Sequence, residues 1–249
     1  MPAFRTDLSP LPAPGLWAAT LAIAGYFALQ FVVGNLFALA LGPLLVGTHA
    51  AAGQQAVLAM LTLGVAVPLT LWLVHRRWTP LWSQAGPPGF GFTAPRRRLY
   101  FVAALATGLA APILGGFVTE WLAHGHRATQ DIQQLGGATP LGLRIPLVLV
   151  VVCVGPLVEE LLFRGVLLSA LMRRWPVGWA VAGSSLLFAL VHLPGLAYQW
   201  YALPNLLLLA LLLAGLRLRS GSIWPAVLAH GVNNLLAAGA WFVAINPPG

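Results

Sequence analysis

Between Leu8 and Val74 the chain carries no Asp, Glu, Arg or Lys, and its single histidine is His49. An apolar stretch of that length cannot be one element of a soluble fold. About 20 apolar residues suffice to cross a bilayer, so the run must hold two membrane spans. They are expected near Leu16–Leu41 and Gln54–Val74, separated by the turn-prone Gly42-Pro43 and Gly47 and the polar Thr48-His49. The run is too long for the apolar core of a cleaved signal peptide, and only Arg5 precedes it among basic residues, so the N-terminus is expected to be retained.

The same character continues along the whole chain. Of 249 residues, 59% are hydrophobic and 7% charged, against about 25% charged in a soluble domain. This excludes a soluble enzyme and a disordered chain, and predicts an all-α polytopic bundle of about seven spans forming a single membrane-embedded domain over residues 1–249. Beyond the first two, spans are expected near Leu99–Ala123, Ile145–Met172, Gly178–Leu193, Pro204–Leu216 and Ile223–Ile245. Pro194, Gly195 and Pro204 leave room for a re-entrant break between the fifth and sixth.

All thirteen basic residues are arginines, against five acids, giving a net charge of +8. The arginines fall in short clusters at span ends and do not form one basic face, which argues for membrane topology over nucleic-acid binding. Arg5, Arg76, Arg77, Arg96, Arg97, Arg98, Arg173, Arg174, Arg217 and Arg219 fall on one side, and Arg127 and Arg144 on the other. The first set is expected to face the cytoplasm, together with the N-terminus. The Pro- and Gly-rich segment between Arg77 and Arg96 reads as a cytoplasmic loop, and the polar stretch from His124 to Arg144 as lying opposite. Arg- and Ala-rich usage fits a bacterial plasma (inner) membrane. Tryptophans near span ends (Trp17, Trp72, Trp78, Trp82, Trp121, Trp175, Trp179 and Trp224) read as an aromatic belt. The single cysteine, Cys153, rules out an intrachain disulfide and a CxxC site.

Ionisable residues inside a span cost about 2.5–3.5 kcal/mol each on insertion scales and therefore face a protein interior or a wet cavity. The fourth span holds three: Glu159, Glu160 and Arg164. Glu160 and Arg164 are four apart and share a helical face, so they can neutralise each other. Glu159 points about 100° away and must meet something else. A buried ion pair fixing helix packing accounts for Glu160 and Arg164 but not for Glu159. An unpaired carboxylate in apolar surroundings is a candidate general base.

Two other spans supply its candidate partners. Phe188 and His192 are four apart at the end of the fifth span, and His230 and Asn234 are four apart in the seventh. Measured from the flanking arginines at 1.5 Å per residue, Glu159 lies about 21 Å deep, His192 about 27 Å and His230 about 16 Å. That spread of roughly 10 Å is left for helix tilts and the Pro194-Gly195 break to absorb. If the three meet, Glu159 and His192 can hold and deprotonate a water while His230 and Asn234 donate to a developing oxyanion. Asn233 reads as a capping or packing residue.

Glu159-Glu160-Leu-Leu-Phe-Arg164, Phe188-Ala-Leu-Val-His192 and His230-Gly-Val-Asn-Asn234 stand in the order EExxxR, FxxxH, HxxxN/D. In this the sequence resembles the CAAX protease and bacteriocin-processing family (CPBP, also called Abi), intramembrane glutamic endopeptidases that include the type II prenyl-protein endopeptidase. The resemblance implies a catalytic core over residues 145–245. It implies Glu159 and His192 as the water-activating pair, His230 and Asn234 as oxyanion donors, and Glu160, Arg164 and Phe188 in support. It further implies a membrane-associated protein or peptide as substrate, with no organic cofactor and no metal. Four rival readings stand beside it. One is a non-enzymatic immunity or scaffold protein of the same fold. A second is a metal-dependent protease using Glu159, Glu160, His192 and His230, although no HExxH helix is present. A third is serine chemistry at Ser184 or Ser185, although Ser185 and His192 would lie about 10 Å apart along one helix. The fourth is a transporter, against which stands the lack of repeat symmetry between halves.

Overall fold

The computed structural model describes residues 13–46, 51–126 and 130–243. Eight helices form among them: α1 (Leu16–Leu45), α2 (Ala51–Arg77), α3 (Leu99–Ala123), α4 (Asp131–Ala138), α5 (Leu141–Met172), α6 (Val177–Val191), α7 (Leu203–Ser220) and α8 (Trp224–Val243). The described residues contain no β-strand. Six helices are long and apolar enough to cross a membrane: α1, α2, α3, α5, α8, and α7 with its leading turn from Trp200. In lipid a backbone must satisfy its own hydrogen bonds, which is why these runs are helical throughout. Arg5, Asp7, His49, Arg127 and the expected end of the last span at Ile245 lie outside the described residues.

The expected fifth span is the exception. α6 has 15 residues, about 22 Å at 1.5 Å per residue, short of a bilayer core of about 30 Å. It stops at His192, and the chain passes through the short turns Pro194–Leu196 and Trp200–Ala202 before α7. The expected break between these two spans is therefore present.

α5 is not uniformly α-helical. Two wider π-helical stretches, Val150–Val154 and Leu161–Leu167, flank the α-helical Gly155–Glu160. Looser turns of this kind free carbonyls for bonds to neighbouring helices. Val151 O accepts Asn234 Nδ2 from α8 at 3.0 Å, and Phe163 O accepts Ser184 Oγ from α6 at 2.9 Å. Small residues let α8 approach its neighbours closely. A Cβ added at Gly231 would lie 2.7 Å from Val152 O of α5, and one at Gly108 of α3 would lie 2.5 Å from Ala229 O.

The arginine-rich ends of the helices gather on one side. Arg173 Nη1 donates to Ala13 O at 2.9 Å, tying the start of α1 to the end of α5. Arg96 N donates to Ser220 O at 2.9 Å and Ile223 N to Gly91 O at 2.8 Å, tying the α2–α3 segment to the α7–α8 turn. That segment was expected as a plain loop, but it folds back as a lid on the bundle end. Trp78, Leu81 and Phe90 are buried, and the rings of Trp82 and Phe92 stack at 4.2 Å.

Two expectations from the sequence are overturned. Trp78 and Trp82 are not belt residues, because the segment that carries them turns inward and packs them on Phe90. Arg217 is not a boundary arginine. α7 runs on to Ser220, which carries Arg217 under the lid, where it is fully buried and donates from Nη2 to Gly89 O at 2.7 Å. Gly91, at φ 79°, lies so close that a Cβ there would sit 2.7 Å from the Arg217 guanidinium carbon. Cys153 is exposed on the outside of α5.

Candidate active site

Glu159 and Glu160 are adjacent on α5 and face different surroundings. Glu160 is fully buried. Its Oε1 accepts Arg164 Nη1 at 2.9 Å and a hydrogen bond from His230 Nδ1 at 3.0 Å. Arg164, equally buried, also donates from Nη2 to Ala210 O of α7 at 3.2 Å, and its guanidinium carbon stands 4.3 Å from the centre of the Phe188 ring. One ion pair thus ties α5 to α6, α7 and α8.

Glu159 points instead into a cavity, with its side chain 23% exposed. Its Oε2 lies 3.8 Å from His192 Nε2 and 3.7 Å from His230 Nε2. The other nitrogen of each imidazole is committed. His192 Nδ1 lies 2.7 Å from Phe188 O; a carbonyl can only accept, so Nδ1 carries a proton and Nε2 is the nitrogen turned toward Glu159. His230 Nδ1 donates to Glu160 in the same way, which orients its Nε2 toward Glu159. Phe188 separates and supports these groups, with ring centres 4.6 Å from His192, 5.7 Å from His230 and 5.2 Å from Phe163.

The spread of depths predicted from sequence has a structural resolution. α6 begins at Val177 rather than at Arg174, which puts His192 about 22 Å from its helix start, level with Glu159. α8 begins beneath the lid, where Ile223 N is bonded to Gly91 O. Glu159, His192 and His230 are brought together. Asn234 lines the same cavity one turn from His230, but its amide is turned toward other partners: Nδ2 donates to Val151 O, and Oδ1 accepts from Asn233 Nδ2 at 3.2 Å. Asn233, read as a packing residue, is a partner of Asn234 and also lines the cavity.

The cavity has a volume of about 920 Å³ and extends from Glu159 to α4. Its wall carries further amides that lie outside the three motifs: Gln30, Gln55, Gln130, Gln133, Gln134 and Asn205, with Tyr26 on α1 as well. Gln30 and Gln55 are polar side chains within otherwise apolar runs, and that is the signal that marks them. Ser184 is spent on Phe163 O and Ser185 is buried in α6, in keeping with a packing role for both. Among the described residues no group of three or more His, Cys, Asp or Glu side chains is arranged to hold a metal ion.

A helical membrane bundle with a buried ion pair and two imidazoles facing one carboxylate over an internal cavity has the parts of a membrane-embedded hydrolase. Residues 141–236 match the family model described as Rce1-like, type II CAAX prenyl endopeptidase. The match begins at the first residue of α5 and ends just past Asn234. This match supports placing the domain in the CAAX protease family, whose general class is an intramembrane endopeptidase. Comparisons with curated proteins and with solved structures found no match.

Proposed function

We propose that the protein hydrolyses a peptide bond of a membrane-associated protein or peptide by glutamic chemistry, with residues 145–245 as its catalytic core. The observation that carries this reading is the position of Glu159 Oε2, nearly equidistant from two Nε2 atoms whose rings are each anchored through Nδ1. Distances of 3.7–3.8 Å are too long for direct hydrogen bonds and suit a bridging water.

In the reaction, Glu159 takes one proton from the water while the His192 Nε2 lone pair accepts a hydrogen bond from the other. The oxygen then attacks the scissile carbonyl carbon. The negative charge that develops on the carbonyl oxygen is met by His230 and Asn234. With Nδ1–H given to Glu160, His230 donates to this oxygen from Nε2 as an imidazolium. Asn234 uses its second amide hydrogen, the first being held by Val151 O. Collapse of the tetrahedral intermediate breaks the C–N bond as Glu159 returns its proton to the leaving amine. Glu160, Arg164 and Phe188 hold the two histidines in place.

In this reading the arginine-rich end and the N-terminus face the cytoplasm of a bacterial plasma membrane. The prenyl group named in the family description is not required of the substrate. The test compares purified wild type, Glu159→Gln and His192→Ala on a membrane-tethered peptide library, with and without chelator. Glu159→Gln keeps the side chain's shape and removes the base, so cleavage is expected to fall about 10²–10⁴-fold at unchanged abundance. Wild-type cleavage is expected to survive chelator. Full turnover by Glu159→Gln refutes the proposal, and absence of cleavage by folded wild type favours the non-enzymatic scaffold.

A further inference from the structure

α2 and α7 line the cavity with the half that lies away from their arginines, and α5 lines it from Val150 to Phe163, short of Arg173 and Arg174. α2 contributes Ala52, Gln55 and Leu63, while Arg76 and Arg77 close its other end. α5 contributes Val150, Val151, Gly155, Glu159 and Phe163, with Arg173 and Arg174 following its other end. α7 contributes Asn205, Leu206 and Leu209 from its start, with Arg217 and Arg219 in its last turn. α6 and α8 run the other way, away from the arginines, and contribute their later residues, from Phe188 to His192 and from His230 to Trp241. The far end of the cavity is formed by α4, where Asp131 and Gln134 are both exposed and line it.

In the opposite direction α5 is packed on every side. From Glu160 to Leu171 every residue of α5 is buried, and the Trp78–Phe92 lid covers the helix ends beyond. Among the described residues the cavity that holds Glu159 reaches the exposed side chains of α4 and passes Gly195 and Leu196 of the short turn after α6. From His230 to Trp241 the cavity follows eleven residues of helix, about 16 Å, which matches about five residues of extended peptide at 3.3 Å each. Gln30, Gln55 and Asn205 on its wall each carry a donor and an acceptor, the complement of an extended backbone.

Arginine-rich ends face the cytoplasm. We propose that the cavity takes its peptide as an extended segment from the extracytoplasmic face of the membrane, over a sill formed by α4. This rests on the hydrolase reading for the fate of the peptide, but the direction of access does not depend on it. Side-specific labelling tests the access route without any need for activity.

In a Cys153→Ala background, single cysteines are placed at Gln134 (the sill), at Ala237 (inside the cavity, one turn from Asn234) and at Arg97 (the arginine-rich face). Each protein is treated with a membrane-impermeant maleimide in intact cells and in inside-out vesicles, with denatured protein giving full labelling. Gln134→Cys and Ala237→Cys are expected to label at least 10-fold faster from outside intact cells, and Arg97→Cys only in inside-out vesicles. Labelling of Ala237→Cys from the same side as Arg97→Cys overturns the proposal. So does failure of Ala237→Cys to label from either side with the impermeant reagent while a lipid-soluble maleimide reacts, since access would then be through the bilayer. Loss of cleavage in Glu159→Gln bears on the hydrolase reading alone, so the two proposals can fail separately.

Discussion

Arg164→Ala is the perturbation whose cost can be worked out most fully. In the native protein the guanidinium is fully buried, pairs with Glu160 at 2.9 Å, donates to Ala210 O at 3.2 Å and lies 4.3 Å from the Phe188 ring centre. Removing one partner of a buried ion pair costs about 3–5 kcal/mol, because the other charge is left without compensation. The ring contact adds at most about 2 kcal/mol, part of it already contained in that figure. A net loss of about 4 kcal/mol lowers the unfolding midpoint by roughly 10 °C for a chain of this size. The assay is thermal unfolding of purified protein in detergent, alongside cleavage of the same sample.

Two further variants separate charge from geometry. Arg164→Lys keeps the charge but lacks the planar fork that reaches Glu160 and Ala210 together, so a smaller loss is expected. The double variant Glu160→Leu/Arg164→Met removes both charges, and stability is expected to return toward wild type. Turnover is not expected to return, because His230 Nδ1 has lost the carboxylate that orients it. A wild-type midpoint for Arg164→Ala would refute the ion-pair reasoning, and restored turnover in the double variant would refute the orienting role of Glu160.

Other substitutions probe neighbouring parts of the site. Gly231→Ala forces a Cβ against Val152 O; an overpacking loss of about 1–3 kcal/mol is expected in unfolding experiments, with reduced turnover as His230 is displaced. Ser184→Ala gives up the bond to Phe163 O and is expected to cost about 1 kcal/mol, measured by unfolding. Ser185→Ala should leave turnover unchanged, and a hundred-fold fall in its cleavage rate would point to serine chemistry. Arg144→Met leaves the carbonyls of Gly137, Thr139 and Trp241 without their guanidinium donor. About 1–3 kcal/mol of stability should be lost for such unpaired groups, with faster amide exchange in α4.

Much of the membrane architecture was legible in residue order because bilayer thickness converts apolar run length directly into spans. The pairing of Glu160 with Arg164 was legible for a similar reason, since i, i+4 neighbours on a helix meet whatever surrounds them. So was the isolation of Glu159, one residue earlier and about 100° around. Residues four apart on one helix also made His192 and Phe188 a unit, now seen in the Nδ1 bond to Phe188 O.

Convergence of three helices on Glu159 was not legible, because relative depth depends on where each helix starts and what covers its end. α6 starts three residues past Arg174 and α8 starts beneath a lid, and neither shift leaves a mark in local periodicity. Burial of Arg217 and of Trp78 escaped for the same reason: charge and aromatic character at a span end read as interface until a folded segment covers them. The tertiary structure alone decided which nitrogen of each histidine is committed, that Asn234 is drawn to Val151, and that amides from α1, α2, α4, α7 and α8 line one cavity. Hydrogen bonds between helices depend on positions in space, and sequence spacing constrains those only within a single helix.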